Sequence, residues 1–331
     1  MGNKNSTIDH EEIINQININ TNSNEDNHIN VSSNIPIRLK NYPEKYLPHP
    51  STRTMQIFKY DVKKYPFREI MIEIFKEANL EEKFLLNYNN IDGNQNNNFA
   101  NMQIIEQAFN TIHLLKGNNV KETRTNNSPF HKIYMQITRK HGSKTKREME
   151  IFEKYNALLN RFCKDIVSLK LASNKIIYQR RPTLRVNPPS EKAMGHPHID
   201  YEYHHQPSEI NFWIPINNIC KSMSLYVETI PDKKDFKPME MEYGECLMFW
   251  GNQCKHYTIA NDTTNTRVSI DFRCMDEQRY NPNYVNLKGR PTQFRIGEYF
   301  TMGEEEEGGG EGDGETGEAG GERGSGKKYD T

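Results

Sequence analysis

The chain has 331 residues, 34% of them apolar and 26% charged, with a mean hydropathy of −0.90. That length admits one large domain or two, and such polarity requires a good part of the chain to stay solvated. The net charge of −1 conceals ten acidic against three basic side chains in residues 303–331, which leaves the remainder at about +6; so small an excess, with no RNA- or DNA-binding motif, argues against nucleic acid as a partner.

Cys163, Cys220, Cys246, Cys254 and Cys274 are odd in number, lack CxxC spacing and follow no signal peptide. They read as reduced thiols of a cytoplasmic protein rather than a disulfide or zinc framework. No apolar run approaches the ~20 residues needed to cross a bilayer.

The chain opens Met1-Gly2-Asn3-Lys4-Asn5-Ser6, which matches the N-myristoylation pattern with Gly2 as acceptor. One acyl chain there would tether the protein to a membrane only weakly and reversibly. Residues 1–50, rich in Asn and Ser without a sustained apolar period, are expected to form a disordered arm. Residues 51–175 read as a helical support region with an Asn-rich insert near 87–101. Within it, Pro66–Asn79 and Met102–Leu115 carry moderate helical spacing. The clearest helix runs from after Ser143 to about Ala172, with Ile151, Tyr155, Leu158, Phe162, Ile166 and Leu169 on one stripe.

After Asn174 the apolar period changes from 3.6 to 2. Eight short strands are expected: 176–186 (interrupted by Pro182), 196–201, 210–214, 223–228, 238–241, 246–250, 255–260 and 267–274. Turn signals such as Asn187-Pro188-Pro189, Tyr243-Gly244 and Asn261-Asp262 separate them, with no helical pattern between. This spacing predicts an α+β fold that is mainly β: a double-stranded β-helix, or cupin-type jelly roll, over 176–275 with N-terminal supporting helices. Residues 276–302 would wrap that barrel, and 303–331 form a disordered acidic Gly/Glu tail.

One constellation carries chemistry. His198 and Asp200 are two apart, so on an extended strand they share a face. His256 follows 56 residues after Asp200, and Arg267 and Ser269 come next. Two imidazoles and a carboxylate that leave coordination positions open are the ligand set of non-haem Fe(II) oxygenases. His196, His204 and His205 are rival imidazoles; Pro197 and Gly195 place His196 in the preceding loop, and the other two belong to the loop that follows. Arg267 and Ser269 can clamp a carboxylate with a two-pronged guanidinium and a hydroxyl. 2-Oxoglutarate fits the span from metal to Arg267. The competing role for Arg267 is an ion pair with Asp262 or Asp271.

His198-Ile-Asp200, His256 and Arg267-Val-Ser269 resemble the HxD…H…RxS signature of Fe(II)/2-oxoglutarate-dependent oxygenases. The text from Tyr178-Gln-Arg-Arg-Pro-Thr-Leu-Arg185 through Glu209-Ile-Asn-Phe-Trp-Ile-Pro215 to Glu242-Tyr-Gly-Glu245 and Gly251-Asn252 is similar to the StrG-like branch of streptomycin biosynthesis. The likeness covers about Tyr178 to Arg273. It implies Fe(II) on His198, Asp200 and His256, 2-oxoglutarate and O2 as co-substrates, and hydroxylation of an unactivated C–H bond of a small polar molecule with release of succinate. Asn211 and Trp213 share a strand face, from which Asn211 could bind co-substrate or substrate and Trp213 wall the pocket or fill the core. Arg185 could bind an anionic substrate group or pair with an acid, and His204 could touch substrate. The rival functions are a metal-binding cupin that does not use 2-oxoglutarate and a non-catalytic binding module.

Overall fold

A computed structural model describes residues 35–78, 98–114, 128–286, 289 and 294–303. The helical region holds α1 (Phe67–Lys76), α2 (Asn98–Asn110), α3 (Pro129–Thr138) and α4 (Lys146–Phe162), the last continuing through a π turn (Cys163–Val167) into α5 (Ser168–Leu171). Local chemistry sets their ends. Ser128 accepts from the His131 N–H and Pro129 opens α3 at its first position. Thr145 and Glu148 form a reciprocal capping box on α4.

Ten strands follow as β1 (Gln56–Lys59), β2 (Ile176–Gln179), β3 (Thr183–Asn187), β4 (Ile210–Pro215), β5 (Leu225–Val227), β6 (Lys237–Met239), β7 (Glu245–Phe249), β8 (His256–Tyr257), β9 (Arg267–Asp276) and β10 (Phe300–Met302). Every ladder among them is antiparallel. The larger sheet runs β1-β7-β4-β9-β2-β10, with β3 also on β9; the smaller runs β6-β5-β8. β9 is the spine. β4 occupies one edge, from Ile210 opposite Cys274 to Pro215 opposite Ser269, while β2 and β3 divide the other edge.

Alternation along β9 separates two environments. Val268, Ile270, Phe272 and Cys274 are fully buried beneath the helices, where Phe162 of α4 meets Phe272 edge-on at 6.3 Å and Phe212 stacks on it at 5.8 Å. Arg267, Ser269, Asp271 and Arg273 point to the opposite face. A strand that is buried on both sides yet polar on one is the mark of a lined pocket rather than a second core.

The structure departs from the sequence expectations at several places. Residues 35–50, assigned to the disordered arm, form two 3-10 turns and open a third at Pro50, and Leu39 and Leu47 are buried in the main core. Prolines at 36, 43, 48 and 50 set those turns, so no regular period advertises the burial. α2 begins at Asn98, inside the Asn-rich insert, and ends at Asn110. The strand expected at 196–201 is a single bridge followed by a 3-10 turn, Asp200–Tyr203, because Pro197 has no N–H to extend a ladder. α3, β1 and β10 were not anticipated. Within the expected wrap, β10 adds to the sheet beside β2. Gly2, residues 1–34, most of the insert and residues 304–331 lie outside the described residues.

Candidate metal centre

The centre is built on one bridge. His198 N–H donates to His256 O at 3.1 Å, and His256 N–H donates back to His198 O at 2.9 Å. Residues that exchange both bonds stand directly opposite with their side chains on one side, and the two ring centroids lie 4.4 Å apart. Ile199 is extended at φ −116°, ψ 145°, which returns Asp200 to the face of His198. The Asp200 N–H donates to Gly251 O at 3.0 Å. One ligand atom each from His198, Asp200 and His256 falls within 4.8 Å of the other two. Asp200 Oδ1 is 3.8 Å from His198 Nε2 and 3.7 Å from His256 Nε2.

The groups behind the three side chains aim them. His198 Nδ1 is 2.6 Å from His196 O, and His256 Nδ1 is 3.1 Å from Cys254 O. A carbonyl only accepts, so each Nδ1 carries a proton and each Nε2 is left to face the centre. Asp200 Oδ2 accepts from Asn211 Nδ2 at 2.8 Å and from Arg273 Nε at 2.9 Å, which turns Oδ1 toward the imidazoles. Burial would raise the Asp200 carboxyl, but Arg273, His256 and His205 outweigh it and hold the group far below the usual carboxylate range. Burial pushes His256 down to about 4, against a partly opposing pull from Asp200. The centre therefore offers the neutral His256 imidazole, the His198 Nε2 and an ionised carboxylate, and this N,N,O donor set fits a divalent iron.

A pocket opens beside the centre, with His198, His256, Trp213 and Arg267 in its wall. Arg267 is 3% exposed; its Nη1 donates to Met223 O at 2.8 Å and its Nε has no partner. Among the described residues no carboxylate pairs with it. Asp271 is taken by Arg185, Nε to Oδ1 at 2.8 Å, and Asp262 accepts from Ser222. Burial, then the charge of Arg185, lowers the Arg267 guanidinium to about 10. A buried cation with an open donor is costly unless an anion meets it.

Ser269 is fully buried and accepts from Trp213 Nε1 at 3.2 Å, which leaves its own O–H to donate. Trp213 both fills the core and walls the pocket. Asn211 bonds Asp200, as described, and its Oδ1 has no partner. Arg185 is engaged in the ion pair with Asp271. His204 sits in left-handed backbone (φ 74°) at the end of the 3-10 turn, outside the pocket lining, and His196 is exposed. His205 instead bonds the fully buried Glu209 at 2.6 Å.

Sequence reasoning missed Arg273, Glu209 and Gln179. The signal for Arg273 was present, since it continues the two-residue period of Arg267, Ser269 and Asp271. In the sequence, Gly251 stands within the StrG-like text with no role assigned at the centre. A Cβ there would meet the Asn211 amide at 2.7 Å, so glycine leaves room for the side chain that steadies Asp200.

The fold and the centre together define a β-sheet oxygenase scaffold with a His-Asp-His site, and a curated relative specifies the branch. Over 146 residues, 44% of this chain and 67% of the relative, the sequence is 34% identical to streptomycin biosynthesis protein StrG of Streptomyces griseus. The chain belongs to the StrG-like branch of the Fe(II)/2-oxoglutarate-dependent oxygenases, a class of oxidoreductases that work with iron and 2-oxoglutarate. No protein-family profile matches it. Among solved structures it is similar to the non-haem alpha-ketoglutarate-dependent epimerase SnoN from nogalamycin biosynthesis (13% identity, 45% of this chain and 73% of that one, TM-score 0.33). It is also similar to the non-haem monooxygenase ThoJ in complex with nickel (11% identity, 68% and 75%, TM-score 0.34). A 2OG-Fe(II) oxygenase family oxidoreductase from Burkholderia pseudomallei gives 14% identity, 46% and 66% coverage and a TM-score of 0.32. The family assignment rests on StrG.

Proposed function

We propose that the chain is a non-haem dioxygenase that hydroxylates an unactivated C–H bond of a small polar substrate, converting 2-oxoglutarate and O2 to succinate and CO2. His198, Asp200 and His256 would hold Fe(II), and Arg267 with Ser269 would receive the far carboxylate of 2-oxoglutarate. The reading is carried by one observation: Arg267 is buried with an unpartnered Nε in the same pocket that the two histidines line. The two antiparallel sheets would be the halves of a double-stranded β-helix spanning 176–275. The role of StrG in streptomycin biosynthesis supports a small, polar substrate.

Bound iron and 2-oxoglutarate supply the activation of dioxygen; the protein supplies orientation. The His196 and Cys254 carbonyls fix both imidazoles as Nδ1–H tautomers. Arg273 and Asn211 keep one carboxylate oxygen of Asp200 facing the centre. Arg185 is paired with Asp271 and Arg273 with Asp200, which leaves Arg267 as the pocket arginine with no carboxylate partner among the described residues. Trp213 and Phe249 line the pocket with apolar surface that sheds water around it.

Succinate release across a metabolite panel tests this reading. The wild-type protein is expected to turn over 2-oxoglutarate, faster with its substrate, and Arg267→Ala to lose turnover while retaining iron. Indifference of the folded, iron-loaded protein to 2-oxoglutarate would instead favour a cupin of other chemistry or a binding module.

A further inference from the structure

A second pocket lies where α3 approaches the β2–β3 link. Arg273, which lines the metal pocket, forms the partition: its Nη1 donates to Gln179 Oε1 at 3.4 Å and to the Tyr299 hydroxyl at 3.1 Å, and both of those residues line the second pocket. The function proposed above uses none of its other residues.

Two successive guanidiniums, Arg180 and Arg181, project from the link, each half-buried. Among the described residues neither has a carboxylate partner. Glu298, the one acid in the lining, is exposed and pairs with neither. His131, on the first turn of α3, is nine-tenths buried against the same space with Nδ1 unpartnered. Burial and then the charges of Arg185 and Arg181 lower its imidazole below the ordinary histidine value. The backbone that carries the arginines is pinned from both sides. Gln179 Nε2 donates to Arg181 O at 2.7 Å, and the Tyr134 hydroxyl donates to Pro182 O at 2.6 Å.

Two adjacent cations without counter-charge, beside a buried imidazole with an idle nitrogen, repel one another unless an anion joins them. A planar guanidinium pair matches the spread oxygens of a tetrahedral phosphoryl group better than it matches a single carboxylate. We propose that this second pocket is a phosphoryl-binding site in which Arg180 and Arg181 grip the oxygens and His131 adds a third hydrogen bond. The phosphoryl group comes either as free phosphate or as the ester of a small metabolite.

Metal-free full-length protein, titrated calorimetrically with inorganic phosphate at constant ionic strength, tests the site apart from any oxygenase activity. Saturable binding is expected, with the His131 imidazole resonance shifting along the same curve. Arg180→Gln and Arg181→Gln should each weaken binding about tenfold, the double lysine variant should keep part of it, and Arg267→Ala should leave it unchanged. A hexose phosphate that binds more tightly than inorganic phosphate marks an ester ligand; equal affinity marks the free ion. Absence of saturable binding would overturn the proposal. So would undiminished affinity in folded Arg180→Gln and Arg181→Gln, or loss confined to Arg267→Ala, which would place the anion in the metal pocket. Should either glutamine variant misfold, the lysine pair and the His131 signal decide.

Discussion

Arg273 grips Asp200 from behind, with Nε and Nη2 each 2.9 Å from Oδ2, so that the carboxylate can offer only Oδ1 to the two imidazoles. Both side chains are buried, and truncating one partner leaves the other charge uncompensated. Arg273→Met should therefore destabilise the metal-free protein by about 3–5 kcal/mol in urea denaturation. It should also weaken Fe(II) or Mn(II) binding by about 10–100-fold, as loss of a group that orients a ligand does. Unchanged metal affinity in a folded variant would mean that Asp200 needs no such support.

Gly251 guards the same carboxylate at one remove. A methyl group at this position would press on the Asn211 amide at 2.7 Å, and that amide is the second donor to Asp200 Oδ2. Gly251→Ala is expected to cost about 1–3 kcal/mol of stability and to lower metal affinity. Asn211→Ala in the Gly251→Ala background should recover stability without restoring affinity, and calorimetric metal titration with thermal melts separates the two effects.

His256 makes stability depend on pH. A free imidazole titrates near 6.5, whereas burial holds this one at about 4, so between those values the unfolded chain takes up a proton that the folded chain refuses. The contribution is complete above pH 6.5 and is lost as pH falls toward 4, by up to about 3 kcal/mol. Denaturation of metal-free protein at several pH values should follow that slope, and His256→Gln should flatten it. An equal slope in the variant would assign the effect elsewhere.

Ala172 ends α5 in left-handed backbone at φ 49°, ψ 46°, where a Cβ crowds the following carbonyl. Ala172→Gly should raise stability by about 1 kcal/mol, read from the denaturation midpoint. No gain would show that the turn relaxes in solution.

Much of this arrangement was legible before any coordinates. The period of two along Arg267, Ser269, Asp271 and Arg273 marks the polar face of β9, and the Ile151–Tyr155–Leu158–Phe162 stripe marks α4. His198 and Asp200 could be named as a pair because i and i+2 share a face on extended chain, a relation that holds across Ile199 even though no ladder forms there, whereas His256 was legible only through the HxD…H…RxS pattern. Other features escaped because their cause is not local. Leu39 and Leu47 are buried by tertiary contacts that leave no periodic trace. The Asn211–Asp200 and Arg273–Asp200 bonds join residues 11 and 73 positions apart. α3 was readable, since Ser128-Pro129 is a sound helix start and Phe130, Tyr134 and Ile137 follow at helical spacing, but the Asn-rich surroundings obscured it.

The most direct test of the iron site is optical. Anaerobic addition of Fe(II) and then 2-oxoglutarate to the folded protein should produce a weak visible metal-to-ligand absorption band, absent in His256→Ala and requiring far more 2-oxoglutarate in Arg267→Ala. No band from folded, metal-loaded wild-type protein, or an undiminished band in His256→Ala, would contradict the assignment of His198, Asp200 and His256 as the iron ligands.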